Sequence, residues 1–160
     1  MTKLKPSTII LSLILIVIIA FGAFFYAGGT LQAQVSCISA NAGDPPEAFV
    51  SIQNVLQSNS APQLFSTDPL GDPANYSLLD ISISLTNRGI FDAEWLNIQL
   101  AGITGDVAVY SLTGDGTDIG ARSSGQVNLK LLTRASADSP RSVSIQYYVY
   151  GISRTITVDF

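Results

Sequence analysis

The sequence predicts an all-β ectodomain, an immunoglobulin/fibronectin-III-like β-sandwich of seven or eight strands, preceded by one N-terminal transmembrane helix. Three observations carry this. Residues Ile9 to Ala27 form a 19-residue run without a charge. Beyond residue 30 the apolar residues alternate with period two, and no stretch sustains a period of 3.6. Clusters of Gly, Pro, Asp and Ser then punctuate the alternation at the short, regular spacing of a sandwich.

The apolar run comes first. At about 1.5 Å per residue it covers roughly 28 Å, close to the roughly 30 Å hydrocarbon core of a bilayer. It is apolar on every side, unlike a helix that lies on a membrane surface. Lys3 and Lys5 precede it and the next basic residue is Arg88, so the positive-inside rule places the amino terminus in the cytoplasm. Phe24, Phe25 and Tyr26 would then meet the outer interface, where aromatic rings are favoured. The rival reading is a signal peptide cleaved after Ala33. Its apolar core would be about 7–15 residues, shorter than this run, so an uncleaved anchor is preferred. The expected organisation is a cytoplasmic segment 1–8, a transmembrane helix 9–27, a juxtamembrane segment with the first strand 28–47, and a sandwich 48–160. The expected location is the plasma membrane, with the ectodomain extracellular or pseudoperiplasmic.

The expected strands follow in order. Leu31 to Ile38 leaves the membrane, and Phe49 to Leu56 comes second. Leu79 to Asn87 alternates cleanly, with Leu79, Ile81, Ile83 and Leu85 on one face. Trp95–Leu100, Val107–Tyr110, Val127–Leu131, Val143–Tyr150 and Arg154–Val158 complete the set. Gly151-Ile152 is read as a two-residue II′ hairpin turn, with glycine first. Ser58 to Ser77 is long for a connection and is read either as a mobile loop or as a segment lying over the sandwich.

The segment Asp80 to Trp95 (DISISLTNRGIFDAEW) holds a strand, an Asn-x-Gly turn and an outgoing strand. It resembles the LEA-14-like and CARDB-like sandwich domains of archaeal and bacterial surfaces. In those domains, as here, a Gly/Ser turn (Arg122-Ser123-Ser124-Gly125) leads into an alternating strand. One anchor followed by one such sandwich also resembles the stator-type accessory proteins of the archaeal swimming filament. The resemblance covers about half the chain and implies a fold more than an activity.

Composition narrows the function. The chain has no histidine and one cysteine, Cys37, which excludes a His-based triad, a His-ligated metal, a four-cysteine zinc site and an internal disulfide. Past residue 29, six basic residues face all twelve acids. Nucleic-acid binding rests on Lys/Arg clusters, and none is present. Asp115, Asp118, Asp68 and Asp72 could contribute to a calcium site, but they lack the ligand spacing of an EF-type loop, and turn chemistry explains Asp-Gly and Asp-Pro equally well. No catalytic, cofactor or metal residues are assigned, and an enzyme is not expected.

Three features remain as sites. Tyr148 and Tyr150 are read as sharing a face with Ile152, while Tyr147 joins Ile145 and Val149 opposite. Two apolar faces exceed what one small core requires, so Tyr148, Tyr150 and Ile152 are expected to border a contact with another subunit. Cys37, an odd cysteine outside the cell, is either a small half-buried apolar residue or one half of an intermolecular disulfide. Asn75-Tyr76-Ser77 is a glycosylation acceptor in a loop. The expected function is a membrane-anchored, non-enzymatic module holding a surface-layer, filament or membrane-complex partner. Its expected partners are the bilayer, through residues 9–27, and a protein, with self-association open. The alternative is a pilus-like subunit whose strand near Leu31–Ile38 completes a neighbour's sheet.

Overall fold

The computed structural model describes residues 6–27, 31–44 and 46–160. Lys3 and Lys5 lie outside them, as do the side chains of Phe24, Phe25 and Tyr26. Helix α1 runs from Pro6 to Ala27, about 33 Å at 1.5 Å per residue. Its large apolar side chains between Ile10 and Phe21 are all exposed. Among the described residues no helix is long and apolar enough to cross a membrane; the described α1 side chains run without a break from Ile10 to Ala23. The expected span 9–27 reaches beyond that run at both ends.

Eight strands follow among the described residues: β1 (Leu31–Asn41), β2 (Gln63–Leu64), β3 (Ser77–Asn87), β4 (Glu94–Ala101), β5 (Asp106–Thr113), β6 (Ser124–Thr133), β7 (Ser142–Val149) and β8 (Ile152–Asp159). They form two antiparallel sheets, β1-β3-β6-β5-β2 and β4-β7-β8. The alternation read from the sequence sets the packing. Leu79, Ile81, Ile83 and Leu85 of β3 are fully buried and meet Ile98 and Leu100 of β4 and Val143 and Ile145 of β7 in one core between the sheets. A period-two strand with one apolar face gains most by laying that face on another sheet. β1 pairs with β3 from Leu31 to Asn41, so the first strand is the margin of the large sheet.

The second expected strand is a helix. Pro46 to Gln57 forms α2, with Phe49 and Ile52 buried and Leu56 packed beside them. These stand at i, i+3 and i+7, one helical face, with Pro46 at the first helical position and Glu47 in the first turn. Over eight residues the same side chains could be read with either period. What decides is a second small core. Ala108 and Leu132 lie buried with Phe49, Ile52 and Tyr76, on the opposite face of the large sheet from Val109 and Leu131. A helix covers that patch, whereas a strand there would leave half of its own apolar residues in water. Within the long connection, β2 and a 3-10 turn at Pro73–Asn75 lie on the same flank.

The hairpin turn also differs from expectation. Val149 pairs with Ile152, so the turn residues are Tyr150 and Gly151, at φ 52° and 71°. Two central residues with positive φ define the I′ class, not II′. The shift moves Ile152 onto the face of Val149 and away from that of Tyr148.

At the end of the sandwich where β5 and β7 begin, Arg141 and Asp106 form an ion pair of 2.9 Å with both side chains wholly buried. The Arg141 guanidinium also donates to the carbonyls of Ser136 and Ser139 and to the Thr133 hydroxyl. Asp106 accepts the Ile103 amide. Such a pair costs little only while both partners remain, since either charge alone is left buried. Arg141→Met should therefore destabilise the sandwich by about 3–5 kcal/mol, whereas Arg141→Met with Asp106→Leu should recover most of that loss. Chemical denaturation of the two variants checks this, and equal losses would refute it.

Candidate interaction surface

The opposite end of the sandwich is where β1 begins. Leu31 pairs with Asn87 at the end of β3, and the Leu31 amide donates to the Tyr147 hydroxyl at 3.4 Å. Three connections meet here: β3–β4, β5–β6 and the 150–151 hairpin. Asn87 joins two of them. Its side chain is buried, and Nδ2 donates to the carbonyls of Phe91, Ile119 and Gly120 while Oδ1 accepts the Gly89 amide at 2.9 Å. This is the physical content of the Asn87-x-Gly89 pattern: one amide side chain satisfies backbone groups of both loops. The Arg122 amide adds a further bond, to the Gly89 carbonyl.

Two β4 residues, Trp95 and Leu96, stand opposite the single β7 residue Tyr147, since Glu94 pairs with Tyr148 and Asn97 with Gln146. That is a β-bulge, and it re-aims a side chain. Leu96 turns into the core. Trp95 takes φ 55°, a left-handed conformation that costs a non-glycine residue about 1–3 kcal/mol, and its indole is 72% exposed. The Trp95 amide donates to Asp118 at 2.8 Å, which holds the bulge in place. Tyr150 is 64% exposed, Ile152 59% and Tyr148 37%. The Tyr150 ring meets Phe91 edge-on at 4.3 Å. Ile90 is exposed beside it.

Of the residues expected as a contact, the fold places Tyr148, Tyr150 and Ile152 at one end, though on different faces of the hairpin. It adds Trp95, which the sequence reading had taken for an ordinary strand residue. A tryptophan just after an Asp-x-Glu segment carries no signal of a bulge; the register against β7 creates it.

The carboxylates considered for calcium are engaged elsewhere. Asp115 accepts the Ile98 amide, Asp118 that of Trp95 and Asp72 that of Ala74, and Asp68 lies 3.9 Å from Arg134. Among the described residues, no three acidic or cysteine side chains converge as metal ligands. Asp115 and Asp118, with the 116–119 backbone and Gln63, also occupy the outer amides of β4, closing that sheet edge. Lys130 is exposed and lies 3.6 Å from Asp80, a surface pair of small weight.

Cys37 is exposed on β1. It faces the same side as Ile81, its register partner, at the rim of the core. Desolvation there pushes its thiol up; Arg141 opposes the shift and Asp80 adds to it. Asn75 is exposed at the end of the 3-10 turn, next to buried Tyr76. An acceptor asparagine in such a turn is open to solvent.

No family model matches this chain, and no curated protein does. Among solved structures, a structural-genomics target described as SoR45 is similar at 14% identity and a TM-score of 0.43, over 81% of this chain and 83% of its own. A FixG-related protein from Vibrio parahaemolyticus is similar at 10% identity and a TM-score of 0.36, over 80% of this chain and 94% of its own.

Replacing Asn87 by Ala would take the acceptor from the Gly89 amide and one donor from the Phe91 carbonyl, while the Ile119 and Gly120 carbonyls keep the Ala93 and Ser123 amides. We expect the variant to lose about 1–3 kcal/mol of stability, measured by urea denaturation. A loss near that of an exposed substitution would show that the loops do not depend on it. Alkylation of Cys37 should rise with pH to a midpoint above that of an unstructured cysteine peptide, because burial disfavours the thiolate. A midpoint below the peptide's would contradict this.

Proposed function

We propose that the chain is a membrane-anchored, non-enzymatic module that carries an immunoglobulin-like sandwich outside the membrane and holds a protein partner there. The observation that carries this reading is the direct joining of two parts. A 22-residue helix whose large apolar side chains between Ile10 and Phe21 are exposed is separated by only residues 28–30 from a strand that completes a packed sheet. A helix that is apolar on all sides and exposed has its natural solvent in lipid.

The strand order supports the immunoglobulin-like assignment. Without the two-residue β2, the sheets run β1-β3-β6-β5 and β4-β7-β8, which is the ABED and CFG arrangement of the constant-type sandwich. The resemblance of Asp80 to Trp95 to LEA-14-like and CARDB-like surface domains supports it as well. A binding role is favoured over turnover because Asp72, Asp92, Asp106, Asp115 and Asp118 each accept a backbone amide. Those carboxylates shape loops. With no histidine, no side chain titrates near neutrality without a large shift. The partner is a surface-layer, filament or membrane-complex protein, or a second copy. The alternative, a filament subunit polymerising by strand addition, would exchange β1 between chains; β1 lies in full register with its own β3, which favours the self-contained module.

Protease added to intact cells should remove the sandwich and leave a small membrane-held fragment. Full protection of the sandwich would overturn the topology.

A further inference from the structure

The two ends of the sandwich differ in charge as well as in shape. At the end where β1 begins, Arg88, Arg122 and Arg154 stand against four carboxylates, Asp92, Glu94, Asp115 and Asp118. At the far end Arg134 and Arg141 stand against seven carboxylates: Asp44, Glu47, Asp68, Asp72, Asp106, Asp138 and Asp159. Nearly all the net negative charge of the sandwich is therefore carried away from α1. The exposed apolar side chains are arranged the other way. Ile90, Trp95, Tyr148, Tyr150 and Ile152 gather at the near end, five of the nine large ones exposed outside α1.

Covalent geometry limits how far this end can stray. Ala27 closes α1 and Leu31 opens β1, four Cα steps apart, so they are separated by at most about 14 Å. If α1 spans the bilayer with its amino end inside, its last turn lies at the outer interface. The near end of the sandwich then faces the lipid headgroups.

We infer that this end is a lipid-surface contact, in which Trp95, Tyr148 and Tyr150 enter the headgroup layer and Arg88 and Arg122 face lipid phosphates. The inference rests on the proposed anchor. Trp and Tyr suit this layer because each presents an apolar ring and a polar tip. The two arginines, both exposed and on loops joined by the Arg122–Gly89 bond, supply the positive charge that anionic lipids attract. The bulge that turns the Trp95 indole out of the sheet makes sense on this surface: it places a large apolar ring beyond the strand at the end nearest the membrane. The sandwich then stands on the bilayer, with α2 and the acidic end outermost and open to a partner.

Trp95 is the single tryptophan, so its fluorescence reports this surface alone. The full chain is reconstituted into phosphatidylcholine–phosphatidylglycerol vesicles, with quenchers placed either shallow or deep on the lipid chains. We expect blue-shifted emission, severalfold protection from acrylamide, and stronger quenching by the shallow label than by the deep one. Arg88→Ser with Arg122→Asn (asparagine tolerates the left-handed φ at 122) should weaken the quenching in anionic vesicles. Free access of acrylamide with no lipid quenching overturns the inference. Protection from acrylamide without lipid quenching also overturns it and assigns the surface to a second copy. Carbonate extraction of the same vesicles reads the anchor separately. Retention of the chain with an unquenched Trp95 refutes only the lipid contact; release of the chain with Trp95 still quenched refutes only the anchor.

Discussion

The end of the sandwich that faces α1 depends on Asn87. It is the last residue of β3, and its buried side chain bonds to backbone groups of the loops on either side of it. Without it the Gly89 amide would lose its acceptor, and the two loops would be joined only by backbone bonds such as Arg122–Gly89 and Ala93–Ile119. With it, Phe91 is held where it can pack on Tyr150, and Ile119 is held where it can bridge to Ala93. The 115–119 segment then lies along β4 and supplies the Asp118 acceptor that stabilises the bulge. A single amide thus positions the exposed aromatic rings without touching most of them. Buried polar groups have this effect only when fully satisfied, because a half-satisfied one costs more than an apolar replacement.

The far end is closed by different means. There a wholly buried ion pair ties the start of β5 to the start of β7, and α2 caps the outer face of the large sheet over Ala108 and Leu132. Tyr76 links these parts: its hydroxyl accepts from the Gly71 amide and from Arg134, whose guanidinium also lies over the ring. The long connection from Ser58 to Ser77 is therefore pinned at Tyr76. Among the described residues no helix covers the middle of the large sheet's outer face around Ser82, Gln126 and Asn128, which is polar, with side chains bonding one another within β6 and across to β3.

Seven of the eight strands were legible because, apart from the start of β5 and the end of β6, which are covered on both faces, they set one face against the core and the other outward, and that environment writes a period of two into the sequence. The residues of α2 were not legible in the same way. Eight residues with apolar groups at 49, 50, 52, 55 and 56 fit either period. The choice rests on Ala108 and Leu132, which are distant in sequence and look like ordinary strand residues. The Asn87-x-Gly89 pattern was visible, but not the carbonyls it serves, since Ile119 and Gly120 lie more than thirty residues away. Arg141 and Asp106 were assigned no role from the sequence. Nothing local distinguishes a buried pair, whose meaning comes only from their meeting.

The sequence by itself determined the class of fold, the apolar helix at the amino end, and the absence of histidine and of a second cysteine. Those properties follow from composition and from periods that any local window reveals. Tertiary structure decided where the exposed aromatic rings lie. Register against β7 opened the bulge and turned Trp95 outward, and pairing of Val149 with Ile152 moved the hairpin turn onto Tyr150. The descent of β1 along β3 brought those rings to the end nearest α1. Each of these depends on which residue stands opposite which, and pairing between distant strands is not encoded in any single one of them.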